Sequence, residues 1–184
     1  MLPSLIGIIA SSGGAAAGGD YESIATVTAS GSATTITFSS IPSTYQHLQV
    51  RGVGSSTSSG GYCVLNINGD SGSNYKQHWL QGDGSGTGSG VGSSATSIDL
   101  YSTASNTANI QAAFVIDILD YANTNKYKTI RGLSGNDVNG ADGAISLATG
   151  NWRSTSAITR IDLTDELGYN FVQYSSFALY GIKG

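Results

Sequence analysis

Apolar side chains recur at every second position through most of the chain beyond Tyr21, and turn-forming residues interrupt this alternation at short intervals. A period of two is typical of β-strands that have one face on a core and the other in solvent. The pattern is clearest at residues 35–38, 47–51 and 63–68. Further strands are predicted at residues 75–80, 97–102, 112–119, 127–133, 144–148, 157–163 and 171–182.

The chain beyond residue 20 is predicted to form one all-β domain. Gly or β-branched residues interrupt every candidate helical stripe, and without helices the chain lacks the crossovers that parallel strands need. We therefore expect an antiparallel β-sandwich, jelly-roll-like, with about eight to ten strands over residues 21–184. Residues 112–119 are apolar on both faces except at Asp117, which predicts a central strand or one packed against a neighbouring subunit.

Two segments favour turns or loops over strands. Asn68 and Gly69 tolerate positive φ angles, and together with Asp70 they predict a hairpin that leads into residues 75–80. Residues 82–97 consist mainly of Gly, Ser and Thr and contain at most one large side chain. Because so little apolar area is available to offset the entropy cost of ordering, we interpret this segment as a mobile surface loop.

Residues 1–20 are predicted to form a flexible anchoring arm. The first part is apolar, but it lacks the basic residue of a signal peptide, contains Pro3 and Gly7, and is too short to cross a bilayer. Residues 11–19 are Ser, Gly and Ala only, a composition typical of a flexible linker. An exposed apolar peptide normally has to be covered by a partner. The candidate anchoring residues are Leu2, Leu5, Ile6, Ile8 and Ile9.

Composition and charge argue against several classes of partner. Charged residues make up 11% of the chain, and the formal net charge is −4 with only 8 Lys and Arg. This balance provides no basic footprint for nucleic acid or for an anionic membrane surface, so neither is expected as a partner. The single cysteine, Cys63, has no intrachain disulfide partner and lies in an alternating apolar stretch, which predicts a small buried side chain.

Candidate catalytic residues are few. His47 and His78 flank apolar positions of predicted strands, where polar side chains face outward, and they are too far apart in sequence for a zinc motif. Glutamate occurs only at Glu22 and Glu166, so a carboxylate pair for glycoside hydrolysis would need aspartates. No nucleophile elbow or phosphate-binding motif occurs. We therefore expect a non-enzymatic protein without a cofactor.

The aspartates favour structural roles. Several of them lie beside Gly or Asn, where their carboxylates are predicted to cap turns. Asp117 and Asp120 instead border the most apolar predicted strand, and we expect structural ion pairs there. Residues 136–143 are rich in oxygen donors, but the glycine falls one position early for an EF-hand loop, so calcium is a secondary alternative. The basic candidates for the ion pairs are Lys126, Lys128 and Arg131. The turn-capping candidates are Asp70, Asp83, Asp137 and Asp142.

Aromatic side chains are the remaining candidates for surface contacts. The chain has 10 Tyr, and its 2 Trp lie beside polar neighbours. Flat aromatic faces can stack on sugar rings or bind a protein partner, although packing within a sandwich is the commoner role for any one of them. The candidate surface-contact aromatics are therefore Trp79 and Trp152.

Several segments spread along the domain carry a resemblance to a known family: residues 21–28, 38–51 (FSSIPSTYQHLQVR), 67–75 (INGDSGSNY), 116–131 (IDILDYANTNKYKTIR), 150–159 (GNWRSTSAIT) and 177–183 (FALYGIK). They resemble the small virion structural proteins of tailed bacteriophages, particularly those from aquatic hosts, a group that includes tail-fibre and capsid-decorating β-sandwich proteins. The resemblance implies a location and a role class, and it implies no catalytic residues.

The resemblance implies a structural component on the external surface of a virion, assembled in the host cytoplasm and held by its N-terminal arm. We expect a part of the tail-fibre or host-adsorption apparatus, with residues 82–97 as an adaptable contact to a host glycan or protein. The alternative is a capsid-decorating (cement) protein that binds the shell, and a carbohydrate-binding module comes third. Low charge suits symmetric self-association, so a homotrimer is predicted.

Overall fold

The computed structural model describes residues 19–58, 61–103, 109–138 and 143–184. Within these ranges every regular element is a β-strand, and none of the described residues lies in a helix, so the predicted all-β class is confirmed. The strands are β1 (Tyr21–Thr28), β2 (Thr35–Phe38), β3 (His47–Gly54), β4 (Tyr62–Ile67), β5 (Tyr75–Gly82), β6 (Thr87–Ala95), β7 (Ile98–Thr103), β8 (Ala112–Leu119), β9 (Lys128–Asn136), β10 (Ala144–Trp152), β11 (Ile161–Asp165) and β12 (Ser176–Ile182).

The strands pair antiparallel and form two sheets. The large sheet has 8 strands in the order β1-β12-β3-β8-β9-β10-β5-β6, and the small sheet has 4 in the order β2-β11-β4-β7. Buried side chains from both sheets form one hydrophobic core between them, so the predicted β-sandwich is confirmed. The described residues contain twelve strands, more than the eight to ten predicted.

Eight of the strands follow the winding of a jelly roll. The first four strands pair in nested order with later ones, as β1–β12, β2–β11, β3–β8 and β4–β7. Successive pairs lie in alternate sheets, because the first and third belong to the large sheet and the second and fourth to the small sheet. A long antiparallel ribbon wound in this way produces the two sheets of a jelly roll.

The remaining four strands form two hairpins that widen the large sheet. β5 and β6 are inserted between β4 and β7, and β9 and β10 are inserted between β8 and β11. β9 pairs with β8 and β10 pairs with β5, so the two hairpins lie side by side beyond the jelly roll. The small sheet covers this extension incompletely, since Trp79 and Gln81 on the inner face of β5 are only half-buried.

The core is built from the alternate positions that the sequence pattern identifies. In β8 the buried positions alternate with exposed or half-buried ones along the whole strand. Phe177 is fully buried, and its ring centroid lies 5.6 Å from that of Phe114 and 5.7 Å from that of Phe171. β8 is the fourth strand of the large sheet, which confirms the predicted central strand. Cys63 is buried as expected, and burial raises the pKa of its thiol.

β4 and β5 do not form the hairpin predicted for this part of the chain. The turn itself forms, because Asn68 and Gly69 have φ angles of 53° and 69° and the Asp70 N–H donates to the Ile67 carbonyl at 2.9 Å. β4, however, belongs to the small sheet and β5 to the large sheet, so the chain crosses the sandwich here. The buried Tyr75 hydroxyl accepts a hydrogen bond from the Ile67 N–H at 3.0 Å and thereby joins the two sheets.

The segment predicted to be a mobile loop, residues 82–97, contains strand β6. β6 pairs with β5 along the edge of the large sheet, and a turn at residues 83–86 connects the two. The Asp83 carboxylate caps this turn as predicted, accepting hydrogen bonds from the N–H groups of Ser85 at 2.9 Å and Gly86 at 2.7 Å. The prediction of a loop is therefore wrong for most of this segment.

Glycine alternates with other residues along β6, and this alternation explains the strand. Gly88 and Gly90 lie against the Trp79 indole, and Gly92 lies against Gln77. A Cβ atom at Gly90 would be only 2.7 Å from three atoms of the indole ring. The neighbouring strand thus supplies the large side chains that β6 lacks, and the ladder to β5 satisfies its backbone.

Two predicted strands begin later than expected. The strand predicted at residues 157–163 is β11, and the strand predicted at residues 171–182 is β12. Ile158 and Phe171 precede these strands and are 1% exposed, so they belong to the core although they lie outside the ladders. The predicted strands therefore begin too early, because apolar core residues of the connecting segments were included in them.

We expect Gly90→Val to lower the free energy of unfolding by about 1–3 kcal/mol, because the new side chain must displace the Trp79 indole. Ser89→Val is the matched control, since Ser89 is exposed on the opposite face of the same strand, and its effect should stay within about 0.5 kcal/mol. Urea titration followed by tryptophan fluorescence measures both. Equal, negligible effects would contradict the packing described for β6.

Candidate functional site

Trp152, one of the two aromatic residues predicted to contact a surface, is only 3% exposed, so this prediction is wrong. β10 directs the side chain into the core, where the indole N–H donates to Asp70 Oδ2 at 2.7 Å. Asp70 also accepts hydrogen bonds from the Gly72 N–H at 2.9 Å and the Asn74 amide at 3.0 Å. These donors, Trp152 foremost, hold the pKa of Asp70 below its usual range. Trp152 thus anchors the turn that follows β4.

Trp79 is half-buried on the inner face of β5 and stays a candidate for surface contact. The indole covers the glycines of β6 at the uncovered end of the large sheet. The adjacent inner residue on β5, Gln77, makes two hydrogen bonds to Asp99. Its Nε2 donates to Asp99 Oδ2 at 2.6 Å, and its Oε1 accepts from the Asp99 N–H at 2.7 Å. Because Asp99 belongs to β7, these bonds join the extension to the small sheet.

Two predicted features fall wholly or partly outside the described residues. The anchoring residues Leu2, Leu5, Ile6, Ile8 and Ile9 all lie in residues 1–18. In the oxygen-rich segment predicted as a secondary calcium alternative, residues 139–142 are outside the described ranges, and they include the proposed turn cap Asp142. Within the described ranges, no group of three or more His, Cys, Asp or Glu side chains could hold a metal ion.

Asp117 on β8 and Asp120, directly after it, form the predicted ion pairs. Arg131 Nη2 lies 2.7 Å from Asp117 Oδ2, and Lys126 Nζ lies 2.5 Å from Asp120 Oδ2. Burial would raise the pKa of Asp117, but hydrogen bonds from Gln49 and Arg131 outweigh it and lower that pKa. The hydrogen bond from Lys126 lowers the pKa of Asp120. Both carboxylates are therefore neutralised within the chain.

Lys128, the third basic candidate, is completely buried and serves the backbone instead. Its ammonium group donates to the carbonyl oxygens of Asn123 at 2.5 Å, Lys126 at 3.0 Å and Thr155 at 3.1 Å. Desolvation lowers its pKa, and the nearby Lys126 charge adds to this effect. Three carbonyl acceptors stabilise the buried cation, which in turn joins two loops at one end of the sandwich.

The two histidines are separate and occupy outer positions, as the strand pattern predicts. His78 is exposed on β5, whereas half-buried His47 accepts a hydrogen bond from the Asp120 N–H at 3.0 Å through Nδ1.

A carboxylate-lined depression of about 490 Å³ lies beside Asp99 and Glu166 in another part of the sandwich. Desolvation raises the pKa of Glu166, and the charges of Asp99 and Asp165 raise it further.

The outer face of the large sheet carries a feature that the sequence predictions missed. Four aliphatic side chains on four neighbouring strands lie in directly paired positions and are between 36% and 56% exposed. Neighbouring strands are about 4.8 Å apart, so these side chains span about 14 Å across the sheet. We call them the aliphatic row; they are Leu80 (β5), Leu147 (β10), Leu133 (β9) and Val115 (β8).

A projecting side chain and a hollow lie beside the aliphatic row. Ile145 is 61% exposed, and its paired residues on the two neighbouring strands are Gly82 and Gly135, so no side chain flanks it. On the Gly135 side the surface forms an open apolar depression of about 250 Å³. Its lining includes Ala113, Val115, Leu133, Gly135 and Ile145.

Close packing of β7 accounts for this outer surface. A Cβ atom at Gly150 would lie 2.5 Å from Ile98 Cδ1, and one at Gly132 would lie 2.8 Å from Leu100 Cδ2. In the stretch beneath β7 the buried inner residues are therefore small, and the large aliphatic residues lie outside. These small inner residues are Gly132 and Ser134 on β9 and Ser146, Ala148 and Gly150 on β10. The available signal was an alternation of small with large side chains in residues 144–148, which gives the period of a strand but no indication of which face is buried.

No protein-family model, curated protein or solved structure matches the chain. The described residues include no helix with the length and apolar character that a membrane span requires. Two surfaces carry the functional argument: the outer face with the aliphatic row, and the edge hairpin β5–β6 with Trp79.

We expect Asp70→Asn to weaken the dependence of stability on acid pH. Because the folded-state pKa of Asp70 is depressed, its contribution is present above the unfolded-state pKa and is lost as pH falls through the folded-state value. The variant should lose about 1 kcal/mol at pH 7 and should then decline less than the parent protein at acid pH.

Chemical denaturation between about pH 7 and pH 2 measures this difference. Trp152→Phe, which removes the N–H donor and keeps an aromatic ring, should reduce the acid dependence in the same direction. Parallel pH profiles for the parent protein and both variants would contradict the assigned role of this hydrogen bond.

Proposed function

We propose that this chain is a non-enzymatic structural component displayed on the external surface of a tailed-phage virion. In this proposal residues 1–20 anchor the chain in the particle after assembly in the host cytoplasm, and the jelly roll contacts other surfaces. We place it first in the tail-fibre or host-adsorption apparatus. The sequence resemblance of residues 21–183 to small virion proteins motivates this role.

The observation that carries the proposal is the widening of one face of the jelly roll. Two inserted hairpins provide 4 of the 8 strands of the large sheet. Their outer positions carry most of the aliphatic row and the projecting Ile145. A contiguous exposed apolar surface favours contact with other proteins, which is the main requirement of a virion component.

The edge hairpin β5–β6 is the surface that we propose for contact with the host. Since residues 87–95 form a strand, the adaptable part is limited to the turn at residues 83–86, and the rest is a preformed surface. Half-buried Trp79 supplies its aromatic contact. A host glycan or protein remains the proposed ligand class, and Trp152 no longer contributes.

A capsid-decorating protein is the second candidate, and the aliphatic character of the outer face favours it. Leucine, isoleucine and valine side chains gain free energy when a protein surface covers them, whereas a glycan surface is polar. The homotrimer predicted from low charge is compatible with either location. Cryo-electron microscopy of the particle separates the two, because density on the tail supports the first role and density on the capsid axes supports the second.

We expect deletion of residues 1–12 to abolish incorporation into particles. The deleted segment includes five aliphatic residues, each able to contribute about 1.5–3 kcal/mol on burial before ordering costs. The free energy of unfolding should change by less than about 0.5 kcal/mol, since the strands begin at Tyr21. Particle purification with immunodetection measures incorporation, and chemical denaturation measures stability.

The matched control for the arm is Leu5→Val with Ile6→Val, which keeps its apolar character and should preserve incorporation. Leu5→Asp with Ile6→Asp should reproduce the effect of the deletion. Normal incorporation of the truncated chain would contradict the proposed anchor and would place particle binding in residues 13–184.

We expect Trp79→Ala to reduce binding to host cells or host glycans at least about tenfold, because an aromatic contact at the centre of a binding surface commonly contributes more than 1 kcal/mol. Trp79→Phe is the matched control, because it keeps an aromatic ring at this position. Cell adsorption and a glycan array measure the two ligand classes. Unchanged binding by the Ala variant would exclude the β5–β6 hairpin as the host contact.

A further inference from the structure

We propose that the outer face of β8, β9, β10 and β5 is an interface between two copies of this chain. The two copies are related by a two-fold axis that runs parallel to the strands, between β9 and β10. This inference goes beyond the virion role, because it names a second copy of the chain as the protein that covers this face, in place of a shell protein. A two-fold dimer is also an alternative to the homotrimer expected from low charge, and its test uses the purified chain alone.

The order of the strands makes this face self-complementary. A two-fold axis between β9 and β10 places β9 opposite β10 of the second copy, and β8 opposite β5 of the second copy. Since the axis follows the strands, residues in one cross-strand row meet the same row of the second copy. Leu147 then faces Leu133 of the second copy, and Leu80 faces its Val115.

The projecting Ile145 and the hollow beside it obey the same symmetry. Ile145 and Gly135 are paired residues on β10 and β9, on opposite sides of the axis. Each copy therefore presents Ile145 to the apolar depression over Gly135 of the other copy. An isologous contact requires this reciprocity, in which one residue meets a second and that second meets the first.

The charges on the face do not oppose the association. Arg131 is already paired with Asp117 at 2.7 Å within its own chain. In the two-fold arrangement Arg131 faces Thr149 of the second copy, and Asp117 faces its His78. No two like charges meet in this row. The other two basic residues on the outer face of the overlap, Lys76 and Arg51, lie away from the axis and face Leu119 and Ser89 of the second copy, so they meet no like charge either.

The area of the overlap is sufficient for a specific dimer. The axis brings six strands of each copy into contact, in the sheet order β3-β8-β9-β10-β5-β6. At the usual strand spacing these six strands extend about 29 Å across the sheet and about 23 Å along the strands. This gives about 660 Å² per copy and about 1,300 Å² in total. Specific interfaces bury about 1,200–2,000 Å², so the face lies in the lower part of that range.

The decisive experiment is sedimentation equilibrium of the full chain over about 1–100 µM. We expect a reversible dimer. Leu147→Asp and Leu133→Asp should each raise the dimer dissociation constant at least about tenfold, because both residues lie next to the axis. Leu147→Ala provides a milder variant that should weaken the dimer in the same direction, and thermal unfolding verifies that each variant folds.

Thr26→Asp is the matched control. Thr26 is exposed on β1 in the same cross-strand row as Leu147, but β1 lies outside the overlap, so the dissociation constant should change less than about twofold. Deletion of residues 1–12 should also leave the dimer intact.

Three results would overturn the proposal. A chain that stays monomeric throughout this concentration range has no such interface. A trimer unaffected by Leu147→Asp uses another surface. Loss of the dimer on deletion of residues 1–12 shows that the N-terminal arm, and not this face, holds the copies together. The location of the chain in a particle is measured separately, so these results leave the proposed virion role open to its own test.

Discussion

The rest of the structure depends on a mismatch in width between the two sheets, because 4 strands must cover the inner face of 8. β7, at one edge of the small sheet, packs closely on β9 and β10 through Ile98 and Leu100, where only glycine fits opposite them. Beyond β7 the inner face is closed by Gln77 and by Trp79 on glycines instead of by a second sheet. The jelly roll thus tolerates four added strands without a larger core.

The sequence pattern predicted the fold class well because most strands of the jelly roll follow the simple rule of large residues inside and polar residues outside. The extension departs from that rule. In β10 the inner residues from Ala144 to Gly150 are small and Ile145 and Leu147 lie outside, since the available depth there is set by β7, which is distant in sequence. In β6 the large side chain belongs to the neighbouring strand, so composition alone suggested a loop. Both errors arise from contacts between strands, which single-strand periodicity does not contain.

The candidate site shows the same limit. Trp79 and Trp152 each follow a polar residue in sequence, yet Trp152 lies where the small sheet covers the large one and Trp79 lies where coverage is incomplete. The aspartates were more predictable because their partners are local: Asp83 caps its own turn, and Lys126 is six residues from Asp120. Short-range polar contacts could therefore be predicted from the chain, whereas exposure required the relative position of the two sheets.

The order of strand pairing also determines which of the two inserted hairpins can open while the other stays paired. β5–β6 reaches the sheet ladder only through β10, whereas β9–β10 has its own attachment to β8. Opening of β9–β10 would therefore leave β5–β6 without a ladder, but fraying of β6 would leave the other hairpin in place. In native-state hydrogen exchange the amides should lose protection in a graded order, with β6 first, the rest of the extension next and β8 with the central jelly-roll strands last.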